Sequence, residues 1–305
     1  MSLFRVPTAA LSLIGRHGTL VVAASLFVGL FVPGLAAACK PLLGPAIIAI
    51  LVLAFLRMDP TALHRHMTRP GLIAAATLWV MLVMPAALGT LFLAFGVQQR
   101  MPGLMSSPAL AALMGLDVTL TLASMILCTA ITPLTAGLFT HIFLGTALAS
   151  PLVFGLRLFL IIAGSALAAA IIRRLAGRVP IEAQRFAIDG LSVIAMFLFA
   201  VAAMDGVADH FRTDPMLVLG LLLLAFALAL GLIAATALVF ARVGRSRAFA
   251  IGLIAGNRNI GLMLAATGFA VPDIAWLYFA LAQFPIYLLP HLLKPLAKRL
   301  GQAAD

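Results

Sequence analysis

The chain has 305 residues, of which 64% are hydrophobic and 10% charged, and its mean hydropathy is +1.19. Soluble domains carry roughly a quarter charged residues, so this composition excludes a soluble globular protein and indicates a membrane protein. The formal charge of +11 does not indicate nucleic-acid binding, because the basic residues are dispersed between apolar runs rather than gathered in a tail.

Apolar runs separated by helix breakers predict an all-α integral membrane protein, since about 20 helical residues cross a bilayer. No run remains for a soluble domain. Ten transmembrane helices are expected, at 18–38, 41–57, 70–96, 101–116, 118–145, 151–172, 186–206, 215–241, 248–270 and 274–293.

The first span followed by Cys39 also fits a lipoprotein-type signal peptide. Ala36 stands three residues before this cysteine, and a further apolar run follows it, which favours a membrane helix. With Cys128 as the only other cysteine, neither a disulfide framework nor a metal site is predicted. No cofactor is expected, except that a sodium ion remains open.

The distribution of basic residues predicts the orientation of the chain. If the N-terminus is cytoplasmic, 15 of the 20 basic residues lie on the inner side, as the positive-inside rule requires. Two more, Arg157 and Arg258, fall within spans. The same pattern requires the short fourth span to cross, so both termini are expected on the cytoplasmic side of a bacterial-type inner membrane.

Five spans in each half predict an inverted repeat, with 1–145 as the first half and 151–300 as the second. An odd number of spans makes the second half enter the membrane in the opposite direction. The most interrupted spans are the fourth, with "PGLMSSP", and the ninth, with "GNRN". Helix breaks are therefore predicted at Pro102, Gly103 and Pro108 in the fourth span and at Gly256 and Gly261 in the ninth.

Arg258 near the middle of the ninth span indicates an anion site. A guanidinium there costs at least about 2.5–3.5 kcal/mol unless it has a partner or water. The carboxylates lie at predicted span ends or in loops, and only Asp189 and Asp205 are near enough to reach inward. A ligand anion gripped by two parallel hydrogen bonds would satisfy the arginine.

The predicted substrate site joins the two interrupted spans and comprises Arg258, Asn257, Asn259, Ser106 and Ser107. In the alternative, Arg258 bonds only backbone carbonyls of a broken helix, such as those of 103–108. An enzyme is not expected, because the spans contain no evident nucleophile–base pair or paired acids. A non-transporting membrane receptor and an intramembrane enzyme are the alternatives of a different class.

The stretch "AIGLIAGNRNIGLMLAA" resembles the broken ninth helix of the bile acid:sodium symporter family, through Gly256, Asn259, Gly261 and Leu262. "VMPAALG" at 83–89 is similar to its proline-containing third helix. The stretch from "SSPALAALMG" to "THIFLG" is similar to its fourth-helix break and fifth helix. The resemblance implies ten helices in two inverted five-helix units, panel and core domains, and crossing fourth and ninth helices.

The resemblance also implies sodium-coupled uptake of organic anions, but the sodium-binding positions depart from the family pattern. The acidic ligand position is Ile254, the glutamine of the motif is Arg258, and the third-helix glutamine falls near Val80. We therefore expect Arg258 to act as a fixed cation in place of sodium. In the alternative, sodium is retained by backbone carbonyls with Ser107, Thr121 and Asn257. The oligomeric state stays open.

Overall fold

The computed structural model describes residues 11, 18–57, 70–94, 131–135, 138, 142, 151–177, 184–256 and 260–296. Regular structure in these ranges is entirely helical. Six described helices are long and apolar enough to cross a membrane, and Leu20–Phe31 is a shorter apolar helix. The chain is thus an all-helical membrane protein, as its composition predicts. The fourth predicted span and most of the fifth lie outside the described residues, so the count of ten stays a prediction.

In chain order, the described helices are α1 (Gly18–Phe31), α2 (Pro33–Cys39), α3 (Leu43–Arg57), α4 (Pro70–Leu78), α5 (Met84–Ala94), α6 (Pro151–Ala176), α7 (Arg185–Ala203), α8 (Val207–Thr213), α9 (Pro215–Val239), α10 (Arg245–Gly256), α11 (Ile260–Ala266) and α12 (Asp273–Leu292). Short turns of other helix types lie at Lys40–Leu42 and Ala241–Val243 (3-10) and at Trp79–Val83 (π).

The boundary between the first two predicted spans is wrong. The sequence predicts it at 39–40, whereas α1 ends at Phe31 and the chain is helical again from Pro33 through Arg57. The cause is Pro33, which disfavours the helical conformation of the preceding residue. Val32 accordingly has φ −122° and ψ 72°.

Contacts divide the chain into two compact units. Unit 1 comprises 1–59 and 160–218, and unit 2 comprises 60–159 and 219–305. Each predicted half of the chain therefore contributes residues to both units. The inverted repeat itself stays a prediction.

In unit 1, α7 packs beside α1 in a parallel orientation. A Cβ on Gly18 would lie 2.6 Å from Val193, and one on Gly29 would lie 2.7 Å from the carbonyl oxygen of Val201. Because the residue numbers rise together along both helices, α1 and α7 run in the same direction. Small residues at these contacts let the two backbones approach closely.

In the same unit, two ion pairs fix α3 antiparallel to α7. Lys40, just before α3, lies 2.7 Å from Asp205, just after α7, and Arg57 at the end of α3 lies 2.9 Å from Asp189 near the start of α7. At 1.5 Å per residue, Lys40 and Arg57 are about 26 Å apart along the helix. The charges therefore flank an apolar length close to the thickness of a bilayer core.

In unit 2, α9 packs against two antiparallel neighbours. Trp79 donates a hydrogen bond to Thr236 and Leu88 shares a buried cluster with Leu232, so residue numbers rise along α4–α5 as they fall along α9. Gly252 and Gly256 of α10 lie against the carbonyl oxygens of Ile233 and Ala229, respectively, so α10 also runs antiparallel to α9. These directions agree with the alternation predicted for the third, eighth and ninth spans.

Candidate substrate site in unit 2

Most predicted site residues fall in parts of the chain outside the described residues. They are Asn257, Arg258, Asn259, Ser106, Ser107, Thr121, Pro102, Gly103 and Pro108. The described residues that border them are Gly256, the last described residue of α10, and Gly261, which is buried in α11. The helix breaks predicted at these two glycines therefore stay predictions, and the described neighbours show how the chain approaches the predicted site.

The described residues of α10 lead directly to the "NRN" triplet. Arg245 opens the helix after the exposed Gly244, and the buried Gly256 lies about 16 Å further along the axis. If Arg245 lies at a membrane interface, this distance is about half of a hydrocarbon core of about 30 Å.

Gly252 and Gly256 allow α10 to pack directly on the backbone of α9. A Cβ on Gly252 would lie 2.7 Å from the carbonyl oxygen of Ile233, and one on Gly256 would lie 2.5 Å from the Ile233 side chain and 3.2 Å from the carbonyl oxygen of Ala229. Position 252 therefore requires glycine, because a backbone carbonyl cannot move aside, whereas a larger residue at position 256 would force the Ile233 side chain to move. Small residues four apart are the usual means of close packing between membrane helices, and this packing fixes the end of α10.

A π-helical turn in the third span faces the same end of α10. The turn covers Trp79–Val83, and Pro85 follows within α5. Pro85 lacks an N–H and its ring crowds the carbonyl of residue 81, so the wider π turn relieves a conflict that a regular α-helix would retain. Val80 and Met81 of this turn are buried in one cluster with Ala255.

Sequence reasoning did not predict the π turn, although Pro85 within "VMPAALG" was its signal. The resemblance to the symporter family places that family's third-helix glutamine near Val80. The structure puts Val80 in a cluster of apolar side chains. At this position, therefore, the wall beside α10 offers no side-chain oxygen to a cation.

Next to this wall, Trp79 and Thr236 form a buried polar link between α9 and the π turn. The indole Nε1 donates to Thr236 Oγ1 over 3.1 Å, and Thr236 is completely buried. The hydroxyl of Thr77, two residues before Trp79, is buried and has no hydrogen-bond partner among the described residues. The π turn is thus held to α9 by one directional bond in otherwise apolar packing.

Replacing Thr236 by valine tests this link. We expect Thr236→Val to destabilise the protein by about 1–3 kcal/mol, because the indole N–H is left buried without an acceptor. The matched control is Thr90→Val, since Thr90 is exposed on α5 and bonds only carbonyls of its own helix. Thermal unfolding in one detergent measures both, and equal melting temperatures for the two variants would contradict the prediction.

Beyond Arg258, the C-terminal end of α11 is closed by a left-handed turn. Gly268 and Phe269 have φ of 66° and 62°, and Phe269 N–H donates to the carbonyl of Leu264. Arg157 has an exposed side chain, and its Nη1 donates over 3.4 Å to the carbonyl oxygen of Ala266, the last residue of α11. A cation is favourable at a helix C-terminus.

The described carboxylates lie at helix ends, and four have partners there. Asp189 and Asp205, the two acids predicted to be near enough to reach inward, are paired with Arg57 and Lys40 within unit 1. Asp209 pairs with Arg212, and Asp214 accepts a hydrogen bond from the backbone at the start of α9. Asp273 stands in the first turn of α12. Asp59, Asp117, Glu182 and Asp305 lie outside the described residues.

Two comparisons with known proteins found no relative of this chain. No protein-family model matches the chain, and no curated protein sequence matches it. The resemblance to the bile acid:sodium symporter family therefore stays a prediction carried by the quoted motifs.

Proposed function

We propose that this protein is a secondary-active transporter of small organic anions, similar to the bile acid:sodium symporters, with Arg258 as the anion-binding cation. The observation that carries the proposal is the packing of α10, whose described residues run from Arg245 to a buried Gly256 held against α9, two residues before Arg258. Binding sites of secondary transporters lie near the midplane, where discontinuous helices meet.

The charge balance around α10 supports an anionic ligand. Within the described ranges, the midsections of the spans carry no carboxylate, and Asp189 and Asp205 are already paired at the two ends of unit 1. A guanidinium near the midplane needs a partner. A substrate carboxylate supplies two oxygens that match the guanidinium geometry. Asn257 and Asn259, together with Ser106 and Ser107, would complete the polar surface of the site.

The division into units supports an inverted repeat and alternating access. The first two predicted spans of each half lie wholly or largely in unit 1, and the last three lie wholly or almost wholly in unit 2. Equivalent elements of a duplicated fold are expected to divide in this way. Lys40 at the start of the second span pairs with Asp205 at the end of the seventh, and Arg57 at the end of the second pairs with Asp189 near the start of the seventh. A symmetry that exchanges these two spans therefore carries the position of one ion pair onto the position of the other. We infer that transport moves one unit relative to the other, as panel and core domains do.

Sodium independence follows from the same site. Sodium requires several oxygen ligands, yet Ile254 stands at the acidic ligand position and Val80 is buried among apolar side chains. A fixed guanidinium would also repel a second cation. Arg258 is therefore proposed to replace the sodium ion electrostatically. The competing proposal, an ordinary symporter with backbone ligands plus Ser107, Thr121 and Asn257, predicts sodium-dependent binding.

The test is the thermal shift of the purified protein with a panel of carboxylate metabolites, in sodium chloride or in choline chloride. For any anion that stabilises the wild type, we expect no dependence on sodium and at least a tenfold loss of apparent affinity in Arg258→Gln, because charge-assisted hydrogen bonds are lost. The matched control is Arg157→Gln, the other arginine within a span, which should keep the wild-type affinity.

Two outcomes separate the competing proposals. Sodium-dependent stabilisation that persists in Arg258→Gln would overturn the fixed-cation proposal and favour the ordinary symporter. Stabilisation by no carboxylate, with a much lower melting temperature for Arg258→Gln, would assign the arginine to backbone bonding in a structural role.

A further inference from the structure

Three helix ends converge on one basic surface at the end of unit 1. Arg173 of α6 donates from Nη2 to the carbonyl oxygens of Phe55 and Leu56, both at 2.9 Å, near the end of α3. Arg57, the last residue of α3, pairs through Nε with Asp189 near the start of α7. We define the basic end of unit 1 as Arg57, Arg173, Arg174 and Arg185.

The charge of this end exceeds what its ion pair neutralises. Its four arginines face the single carboxylate of Asp189, a net charge of +3 among the described residues. Arg57 remains 53% exposed despite its ion pair, and Arg174 and Arg185 are exposed.

The opposite end of unit 1, about 26 Å away along α3, has the reverse balance. Among the described residues, Lys40 and Arg212 there stand with Asp205, Asp209 and Asp214. Within the described part of unit 1, the excess of positive charge is therefore confined to one end.

Exposed apolar side chains adjoin the basic end. Leu175 in the last turn of α6 is 84% exposed, and Phe186 in the first turn of α7 is 50% exposed. The guanidinium of Arg185 lies 5.7 Å from the centre of the Phe186 ring. Arginines beside exposed leucine and phenylalanine at the end of apolar helices match the chemistry of the membrane–water interface.

We propose that the basic end of unit 1 binds the phosphate of an anionic phospholipid, whose acyl chains lie along Leu175 and Phe186. Guanidinium groups bind phosphate oxygens bidentately, and basic pockets between transmembrane helices bind anionic lipid head groups. The hydrogen bonds of Arg173 and the ion pair of Arg57 hold these two cations in place before the lipid binds. The adjoining apolar side chains favour a lipid over free phosphate. This proposal uses only unit 1 and is independent of the proposed transport function.

The experiment uses delipidated full-length protein in a neutral detergent and measures thermal unfolding during titration with phosphatidylglycerol or phosphatidylcholine. We expect phosphatidylglycerol to raise the melting temperature and phosphatidylcholine to leave it nearly unchanged. Each of Arg174→Gln and Arg185→Gln should weaken phosphatidylglycerol binding about fivefold, the effect of one basic residue near a charged membrane surface. Both side chains are exposed, so the variants should fold as the wild type does.

The control variant is Arg212→Gln at the opposite end, which removes the same charge and should bind phosphatidylglycerol with wild-type affinity. Equal stabilisation by the two lipids, or equal weakening in Arg212→Gln and Arg174→Gln, would overturn the proposal. Displacement of the lipid effect by millimolar inorganic phosphate would also overturn it, because the site would then bind the free anion.

Discussion

Gly252→Leu is expected to lower the stability of the protein by about 3 kcal/mol or more, the upper part of the range for overpacked contacts. Even the Cβ of a new side chain would lie 2.7 Å from the carbonyl oxygen of Ile233. A backbone carbonyl cannot rotate away as a side chain can, so α10 and α9 would have to separate. Gly252→Ala should give a smaller loss, because it adds one carbon at the same contact.

The matched control is Gly231→Leu in α9. A Cβ at Gly231 would meet no atom within 4 Å, and leucine is a better helix former than glycine by somewhat under 1 kcal/mol. We therefore expect Gly231→Leu to leave the melting temperature unchanged or to raise it. The measurement is thermal unfolding of all three variants in one detergent, and a Gly252→Leu variant that melts with the wild type would contradict the packing.

The same substitution connects packing with the proposed site. Gly256 ends α10 against Ile233 and Ala229, and Arg258 follows two residues later. If Gly252→Ala displaces α10 from α9, the anion affinity of a still-folded variant should fall as well. An unchanged anion affinity together with reduced stability would show that anion binding does not depend on the packing of α10 against α9.

The sequence predicts span ends well where a local signal marks them. Pro215 begins a helix where a span was predicted, because proline fits the first helical position, where its missing N–H costs nothing. Local hydropathy did not predict the helix break at Val32, because the apolar run continues through Pro33 and only the backbone conformation changes there. The charges of Lys40 and Arg57 indicated the sides of the membrane, but their partners in α7 are more than 100 residues away and no local pattern reveals them.

For the candidate site, the spacing of Gly252 and Gly256 is typical of tight helix packing but does not identify the partner helix. Whether α9 or another span packs on these glycines depends on tertiary structure alone. The π turn could not be predicted from hydrophobic periodicity either, because a stretch of five residues shifts the apolar pattern too little. Val80 was singled out only through the resemblance, and the described structure shows that it shares a buried cluster with Ala255.

Arg173→Gln is expected to destabilise the protein by about 2–3 kcal/mol. Arg173 donates hydrogen bonds to the carbonyl oxygens of Phe55 and Leu56 in the last described turn of α3, and Pro60 has no N–H that could bond Leu56 in a continued helix. Hydrogen bonds that involve a charged group contribute about 1.5–3 kcal/mol each, and the half-buried position of this guanidinium limits its screening by water. A shorter, neutral glutamine would leave these carbonyls without their charged donor.

Arg174, the neighbour of Arg173, provides a control residue that differs from Arg173 only in the contacts of its side chain. Arg174 has the same charge, stands on the same turn of α6 and is exposed, so Arg174→Gln should change stability by less than about 0.5 kcal/mol, as is usual for surface substitutions. Both variants are compared by thermal unfolding in lipid-free neutral detergent, which removes any contribution of bound phospholipid. If the two variants lose stability equally, charge rather than capping governs this end of unit 1. If only Arg173→Gln loses stability, the end of α3 is held by the arginine of α6, and the basic end is built before any lipid reaches it.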